Sequence, residues 1–158
     1  MDRCDNCMKS LRDLDVPRSE ATAGLVRSVM EDNLGRLEQE NTLTVSPEAS
    51  ALQVAGWMKE GHTGCALVLD DGGKLVGIFT EHDVLCKLAG AEEASGNVSV
   101  GELMSRNPES LKETDSVAAA LNKMSIGRYR HVPVRKSDGG YGVASIKSVL
   151  KYIAKEDW

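Results

Sequence analysis

Three groups of residues in this sequence have types and spacings that could do chemistry. Thr80-Glu81-His82-Asp83 follows the apolar run Gly77-Ile78-Phe79 and opens what reads as a helix. At such a junction the threonine hydroxyl and the backbone N–H groups after it suit a phosphate. The Asp83 carboxylate, one turn on, offers two acceptor oxygens to the vicinal hydroxyls of a ribose. The same four residues also fit the Ser/Thr-x-x-Asp/Glu capping box, which only satisfies helix donors, and the motif alone leaves both readings open. Arg130-His131 sets a permanent cation beside a titratable donor. Cys4-Asp5-Asn6-Cys7 has the spacing of half a zinc site or of a redox pair. Two more ligands at similar spacing do not follow it, so no metal is expected, and Cys4 and Cys7 are the one place a metal could bind. Cys65 and Cys86 stand in apolar surroundings that suit buried inert thiols. No Ser/His/Asp or Cys/His set falls on strand ends and no carboxylate pair flanks an identifiable cleft; no catalytic residue is assigned, and the chain is read as a non-enzyme.

An internal repeat must position these residues. Ala51, Val54, Ala55 and Met58 share one face of an amphipathic helix, and Val117, Ala120, Leu121 and Met124 restate that face 66 residues later, counting from Ala51 to Val117. Each helix meets a glycine at the same offset, Gly61 and Gly127, which predicts left-handed helix ends there. Short apolar strands follow, Ala66–Leu69 and Val132–Val134. Turns rich in Asp and Gly (70–73 and 137–140) lead to second strands, Leu75–Phe79 and Tyr141–Ala144. A closing helix carries Val84, Leu85 and Leu88 in one half and Val149, Leu150 and Ile153 in the other. The expected fold class is α/β, two β-α-β-β-α repeats. A leading helix is predicted from Ser19 to Met30, where Ala21, Leu25, Val29 and Met30 share a face. The expected divisions are an N-terminal tail at 1–18, the first repeat with its leading helix at 19–91, a polar linker at 92–98 and the second repeat at 99–158.

Composition narrows the function classes. At 158 residues the chain can bury a core without staples. It has only 2 Trp, 3 Tyr and 1 Phe, too few for base-stacking platforms. A formal charge of −5 repels phosphate polyanions, so no nucleic-acid partner is expected. No apolar run reaches the length of a membrane span and Met1-Asp2-Arg3-Cys4 opens no signal peptide; the expectation is a soluble, cytoplasmic protein with reduced thiols and no membrane partner.

In combination, Gly77-Ile78-Phe79-Thr80-Glu81-His82-Asp83, Leu103-Met104-Ser105-Arg106-Asn107-Pro108 and His131-Val132-Pro133-Val134 resemble a tandem pair of cystathionine-β-synthase (CBS) domains. The resemblance runs from about Leu25 to Ala154 and implies a pseudo-symmetric module whose clefts hold adenosine-containing ligands and regulate an attached or partner protein. The ligand would be AMP, ADP, ATP or S-adenosylmethionine; the regulated protein is not named by the sequence, and a homodimer is expected. The resemblance also implies that the cleft built on Thr80 and Asp83 is completed from the other repeat by Arg130 and His131, with Pro133 just beyond. Thr44, Val45 and Pro47, on the strand before the first helix, would face the base. Val45 reads equally well as core, and Pro47 as a first-turn proline. His82 stands where the family often has arginine, which would make phosphate binding weaker or pH-dependent, or it is a surface helix residue. Trp57 is either a dimer contact or a core-edge residue. The second motif reads Ser145-Ile146-Lys147-Ser148, with Ser148 in the carboxylate's place and Gly64-Cys65 as its cross-repeat partners. Losses on both sides of one cleft predict a single nucleotide site per chain, although Ser145 and Lys147 could still take a different anion there. The rival readings are a dimerisation module with decayed sites and a metal or redox protein using Cys4 and Cys7.

Overall fold

The structure, a computed structural model, describes residues 20–38, 41–89 and 97–155. The tail with Cys4 and Cys7 and most of the 92–98 linker lie outside the described residues. A leading helix α1 (Glu20–Glu31) and a 3-10 turn (Leu34–Arg36) precede β1 (Leu43–Val45), α2 (Ala51–Glu60), β2 (Cys65–Leu69) and β3 (Leu75–Thr80). The helical turn α3 (Glu81–Asp83) then continues as a π-helix, Val84–Leu88. The second half runs through α4 (Val100–Leu103), β4 (Ser105–Arg106), β5 (Leu111–Lys112), α5 (Val117–Gly127), β6 (His131–Arg135), β7 (Tyr141–Ser145) and α6 (Ile146–Lys155).

There are two sheets, ordered β1-β2-β3-β4 and β5-β6-β7, and the first takes its edge strand β4 from the second half of the chain. The first strand of each is parallel to the second, and the second and third form a hairpin. The hairpin turns follow from their residues. Asp70 Oδ1 accepts the N–H groups of Gly72 and Lys74 at 3.0 and 2.9 Å, and Asp138 Oδ1 accepts that of Gly140 at 2.8 Å. The helix ends differ from expectation. Gly61 is right-handed (φ −80) and Gly127 is the last residue of α5, and the left-handed positions are the next residues, His62 (φ 51) and Arg128 (φ 55). Glycine is needed at 127 for closeness instead, since a Cβ there would collide with the Tyr129 ring.

The two lead-in segments cross over. Leu34 and Gly35 donate N–H bonds to the Asp115 and Glu113 carbonyls, and Val117 donates to the Asp32 carbonyl. In the other half Val100 and Gly101 donate to the Ala49 and Pro47 carbonyls and Ala51 to the Val98 carbonyl. Each lead-in therefore completes the helix start of the opposite half. Leu34 and Leu37 lie in the second repeat's core with Val117, Val132 and Val149, and Val100 and Met104 lie in the first repeat's with Val54, Val68 and Phe79. The helix assigned by chain order to the first repeat thus has its Val29 against the second. Between the sheets, Cys65, Leu67 and Ile78 meet Val143.

Side chains add to the lead-in's attachment. Tyr152 donates its hydroxyl to Asp32 Oδ2 at 2.5 Å and, with Arg36, holds that carboxyl below its usual range against the opposing effect of burial. Lys155 and Lys151 do the same for Glu38. Both groups bind a proton less readily folded than unfolded, so their stabilisation is present above the ordinary carboxylate pKa of about 4 and is lost as pH falls below it. Burying Leu34 and Leu37 contributes about 1.5–3 kcal/mol each, so hydrophobic docking outweighs the half-buried Asp32 and the exposed Glu38, and the acid effect is partial. Thermal melts from pH 6 to 3 should show a falling Tm, with a shallower fall in Tyr152→Phe; parallel curves would deny Asp32 that role.

Candidate functional site

Thr80 ends β3 in extended conformation (φ −120, ψ 168) and caps the helix that follows. Its N–H and hydroxyl donate to Asp83 Oδ2 at 3.0 and 3.1 Å, and the Asp83 N–H reaches back to Thr80 Oγ1 at 3.4 Å. The capping reading of this motif is therefore realised. Asp83 is only 4% exposed, and its other oxygen, Oδ1, is paired with Lys87 Nζ at 2.8 Å. The N–H groups after Thr80 are less open to an anion than expected: Glu81 N–H already donates to the Gly64 carbonyl at 3.1 Å and Asp83 N–H is engaged by Thr80.

The hairpin registers set what faces this turn. Cys65 pairs with Thr80 and His131 with Ser145, so the strand starts β2 and β6 stand beside the two motifs. A Cβ added at Gly64 would lie 2.6 Å from His131 Nε2 and 3.6 Å from the Glu81 carboxyl carbon. The imidazole of the second repeat thus fills the space over Gly64, which also borders the carboxyl of Glu81. The resemblance implied a place for His131 at the cleft of Thr80 and Asp83; the neighbour the structure gives it is Gly64, on the loop before β2. Arg130, the residue before it, is exposed and pairs with no carboxylate among the described residues. Its carbonyl accepts the Ile146 N–H at 3.0 Å, the counterpart of the Gly64–Glu81 bond. Pro133, two residues into β6, is fully buried.

The residues expected near a base are placed less tightly. Thr44 is exposed on β1 opposite Leu67, two strand positions or about 7 Å beyond Cys65. Val45 is in the first core with Ala51 and Val54. Pro47 is not in the first turn of α2, which begins at Ala51 after the cap Ser50; Pro47 forms a turn with Glu48, and its carbonyl binds Gly101 N–H at 2.9 Å. Shallow cavities of about 260 Å3 lie at the far ends of the strands from the motifs. One is lined by Thr44, Val45, Ser46 and the Leu69–Asp71 turn, the other by Lys112–Thr114 and Arg135–Ser137. Neither reaches Thr80 or Asp83.

The second motif is closed. Ser145 N–H donates to Ser148 Oγ and Ser148 N–H to Ser145 Oγ, both at 3.0 Å, and the Ser148 hydroxyl donates to the Ser145 carbonyl at 2.8 Å. Ser148 is fully buried and Ser145 nearly so. Two serines satisfy here what a threonine and a carboxylate satisfy in the first repeat, with no charge.

Cys86 departs from the sequence reading: it is exposed, with its Sγ 3.5 Å from His82 Nε2 one turn earlier, while Cys65 is buried as expected. The apolar neighbour Leu85 suggested burial, but Leu85 itself is 72% exposed, since this face of the helix turns outward. Among the described residues no three His, Cys, Asp or Glu side chains converge on a metal position. Nor is any helix there long and apolar enough to cross a membrane. Trp57 is partly exposed. Lys87 was missed from sequence, while the sequence assigns Gly64 to the second motif and gives Glu81 no role beyond the motif it belongs to. Lys87 had a legible signal, its i+4 spacing from Asp83.

The CBS domain sequence profile matches residues 26–90 and 100–155. The plant protein CBSCBSPB1 of Arabidopsis thaliana is 35% identical over 97 residues, 61% of this chain; the chain spans only 18% of that protein's length. An uncharacterised 17.7 kDa protein of Acidianus ambivalens is 28% identical over 123 residues, 77% of this chain and 73% of its own. Among solved structures, the CBS-domain protein ATU1752 of Agrobacterium tumefaciens superposes with a TM-score of 0.67 at 31% identity, over 77% of this chain and 93% of that one. CBSX2, solved in complex with AMP, superposes at 0.66 over 78% and 97% and, at 21% identity, is alike in fold.

Proposed function

Since this chain belongs to the CBS-domain family, we propose that it is a regulatory module that binds an adenine nucleotide at the Thr80–Asp83 turn, one per chain, and signals its occupancy to a partner protein. The observation that supports this reading is the seating of His131 over Gly64, a position that also borders the Glu81 carboxyl: an imidazole of one repeat meets the loop beside the other repeat's turn, and the exposed Arg130 is its neighbour in sequence. The ribose hydroxyls bind Asp83, and the phosphates extend toward Arg130 and His131. AMP is the first ligand to try, because a protein of the same fold was solved with it; ADP, ATP and S-adenosylmethionine are the remaining members of the class. Thr44, Val45 and Pro47 would meet the base through backbone groups, since the Val45 side chain is core. The module acts by binding and not by catalysis. Signalling requires that the nucleotide bind two conformations with different affinity.

Titration calorimetry with adenosine, AMP, ADP and ATP tests the reading. A charge-assisted hydrogen bond contributes about 1.5–3 kcal/mol, so Arg130→Ala should weaken ATP by about tenfold or more, AMP by less, and adenosine hardly at all. Equal losses for all four would place Arg130 away from the phosphates. A homodimer fits the same reading. Leu85 and Leu150, equivalent residues of the two closing helices, are 72% and 60% exposed, and Ile126 is 77% exposed. Monomers leave such faces wet. Light scattering should return twice the chain mass, and a monomer at all concentrations would refute it.

A further inference from the structure

The Lys87 ammonium makes two contacts that nothing in the nucleotide reading uses. It pairs with Asp83 Oδ1 at 2.8 Å and donates to the Leu103 carbonyl at 2.7 Å. Leu103 is the last residue of α4, in the lead-in to the second repeat. One side chain therefore ties the proposed ribose acceptor to the segment that joins the two halves. The backbone beneath it is unusual as well. Val84–Leu88 is wound as a π-helix, with Ala89 N–H on the Val84 carbonyl at 3.0 Å, whereas the equivalent helix α6 is regular. Single π turns inside helices occur frequently at functional sites. In the second repeat the position equivalent to Lys87 is Tyr152, a neutral side chain that also reaches a lead-in residue, Asp32. In the first repeat a single charged side chain links motif and lead-in.

We infer that Lys87 is the coupling residue through which occupancy of Asp83 is transmitted to α4. A carboxylate has about four lone-pair positions. Thr80 N–H, the Thr80 hydroxyl and Lys87 Nζ take three of them. A vicinal diol brings two donors, so one present partner must yield. The Thr80 N–H is fixed by the backbone and its hydroxyl by the helix start. Lys87, on a flexible four-carbon stem and 42% exposed, is the partner free to swing out. When it leaves, the Leu103 carbonyl loses its side-chain donor and the end of α4 loosens. The inference rests on Asp83 being the ribose acceptor and goes beyond it by naming the route out of the site. By reciprocity of linkage, removing the tie must raise affinity for the diol.

Hydrogen exchange over residues 97–106, with and without AMP, tests this on the full chain. In the wild type, saturating AMP should speed exchange at Val100–Met104 by about fivefold, the factor that corresponds to one ordinary hydrogen bond. Lys87→Met should raise exchange there by the same factor without ligand, make AMP silent at that segment, and bind adenosine about fivefold more tightly. Adenosine is the affinity probe because it lacks the phosphates that a lysine could attract directly. If AMP binds the wild type and exchange at 100–104 stays unchanged, the coupling role is wrong and the nucleotide site stands. If AMP does not bind at all, the site reading falls, and the coupling with it. Should Lys87→Met fail to fold, the wild-type measurement still decides.

Discussion

Asp83→Ala should reduce AMP affinity at least tenfold and lower Tm in the absence of ligand. The two effects have separate causes. Loss of a charge-assisted acceptor pair facing the ribose costs about 1.5–3 kcal/mol of binding, or ten- to more than a hundredfold. Loss of the capping box costs the fold about 0.5–2 kcal/mol, because Thr80 N–H and Lys87 lose their partner in a position only 4% exposed. Asp83→Asn separates them. Its amide oxygen can still accept from Thr80 N–H, so much of the cap survives, but the charge that receives Lys87 and one of the two acceptor oxygens are gone. Calorimetry should find Asp83→Asn close to Asp83→Ala in nucleotide affinity, while melting should find it closer to the wild type. If both variants bind AMP as the wild type does, the turn is a helix cap only, and the family's nucleotide chemistry is absent from this chain.

The parts of the fold that could be read from sequence are those where local pattern and tertiary demand agree. The helix faces Ala51–Met58 and Val117–Met124 and the Asp-Gly hairpin turns are written in residue type and spacing alone. What could not be read depends on distant partners. Gly64 reads as a partner of the second motif, and that His131 sits above it, 67 positions away counting from 64 to 131, cannot be seen in the sequence. Gly127 looks like a left-handed helix end and is in fact cleared for Tyr129. The crossing of the lead-in segments is equally silent, because Leu34 and Val100 show only that they are apolar and not which core receives them. Cys86 was misplaced for a related reason: apolar sequence neighbours do not fix burial when the helix face they share points outward. The carboxylate turn was legible because a capping box is local. Its partner from the other repeat came from the family resemblance, and Lys87's bond to Leu103 from the structure alone.

Ser148→Ala carries the contrast that decides whether this chain has one nucleotide site or two. Position for position, Ser148 occupies the place of Asp83, and the sequence comparison of the repeats predicts that truncating it does little. The structure changes half of that expectation. Ser148 is fully buried, accepts the Ser145 N–H and donates to the Ser145 carbonyl, so removing its hydroxyl strands a buried donor. An unsatisfied group of this kind costs about 1–3 kcal/mol, and for a chain of this length each kcal/mol lowers Tm by about 2–4 °C. Ser148→Ala should therefore melt several degrees below the wild type. Its AMP binding should nevertheless remain at one per chain with unchanged affinity, because a closed pair of neutral serines has no acceptor to lend a ribose. Calorimetry on the two variants side by side reads the outcome: Asp83→Ala loses ligand, and Ser148→Ala loses only stability. Two equivalent sites in the wild type, or a matching loss of affinity in Ser148→Ala, would show that the uncharged motif still binds nucleotide and that the asymmetry between the halves has been misjudged.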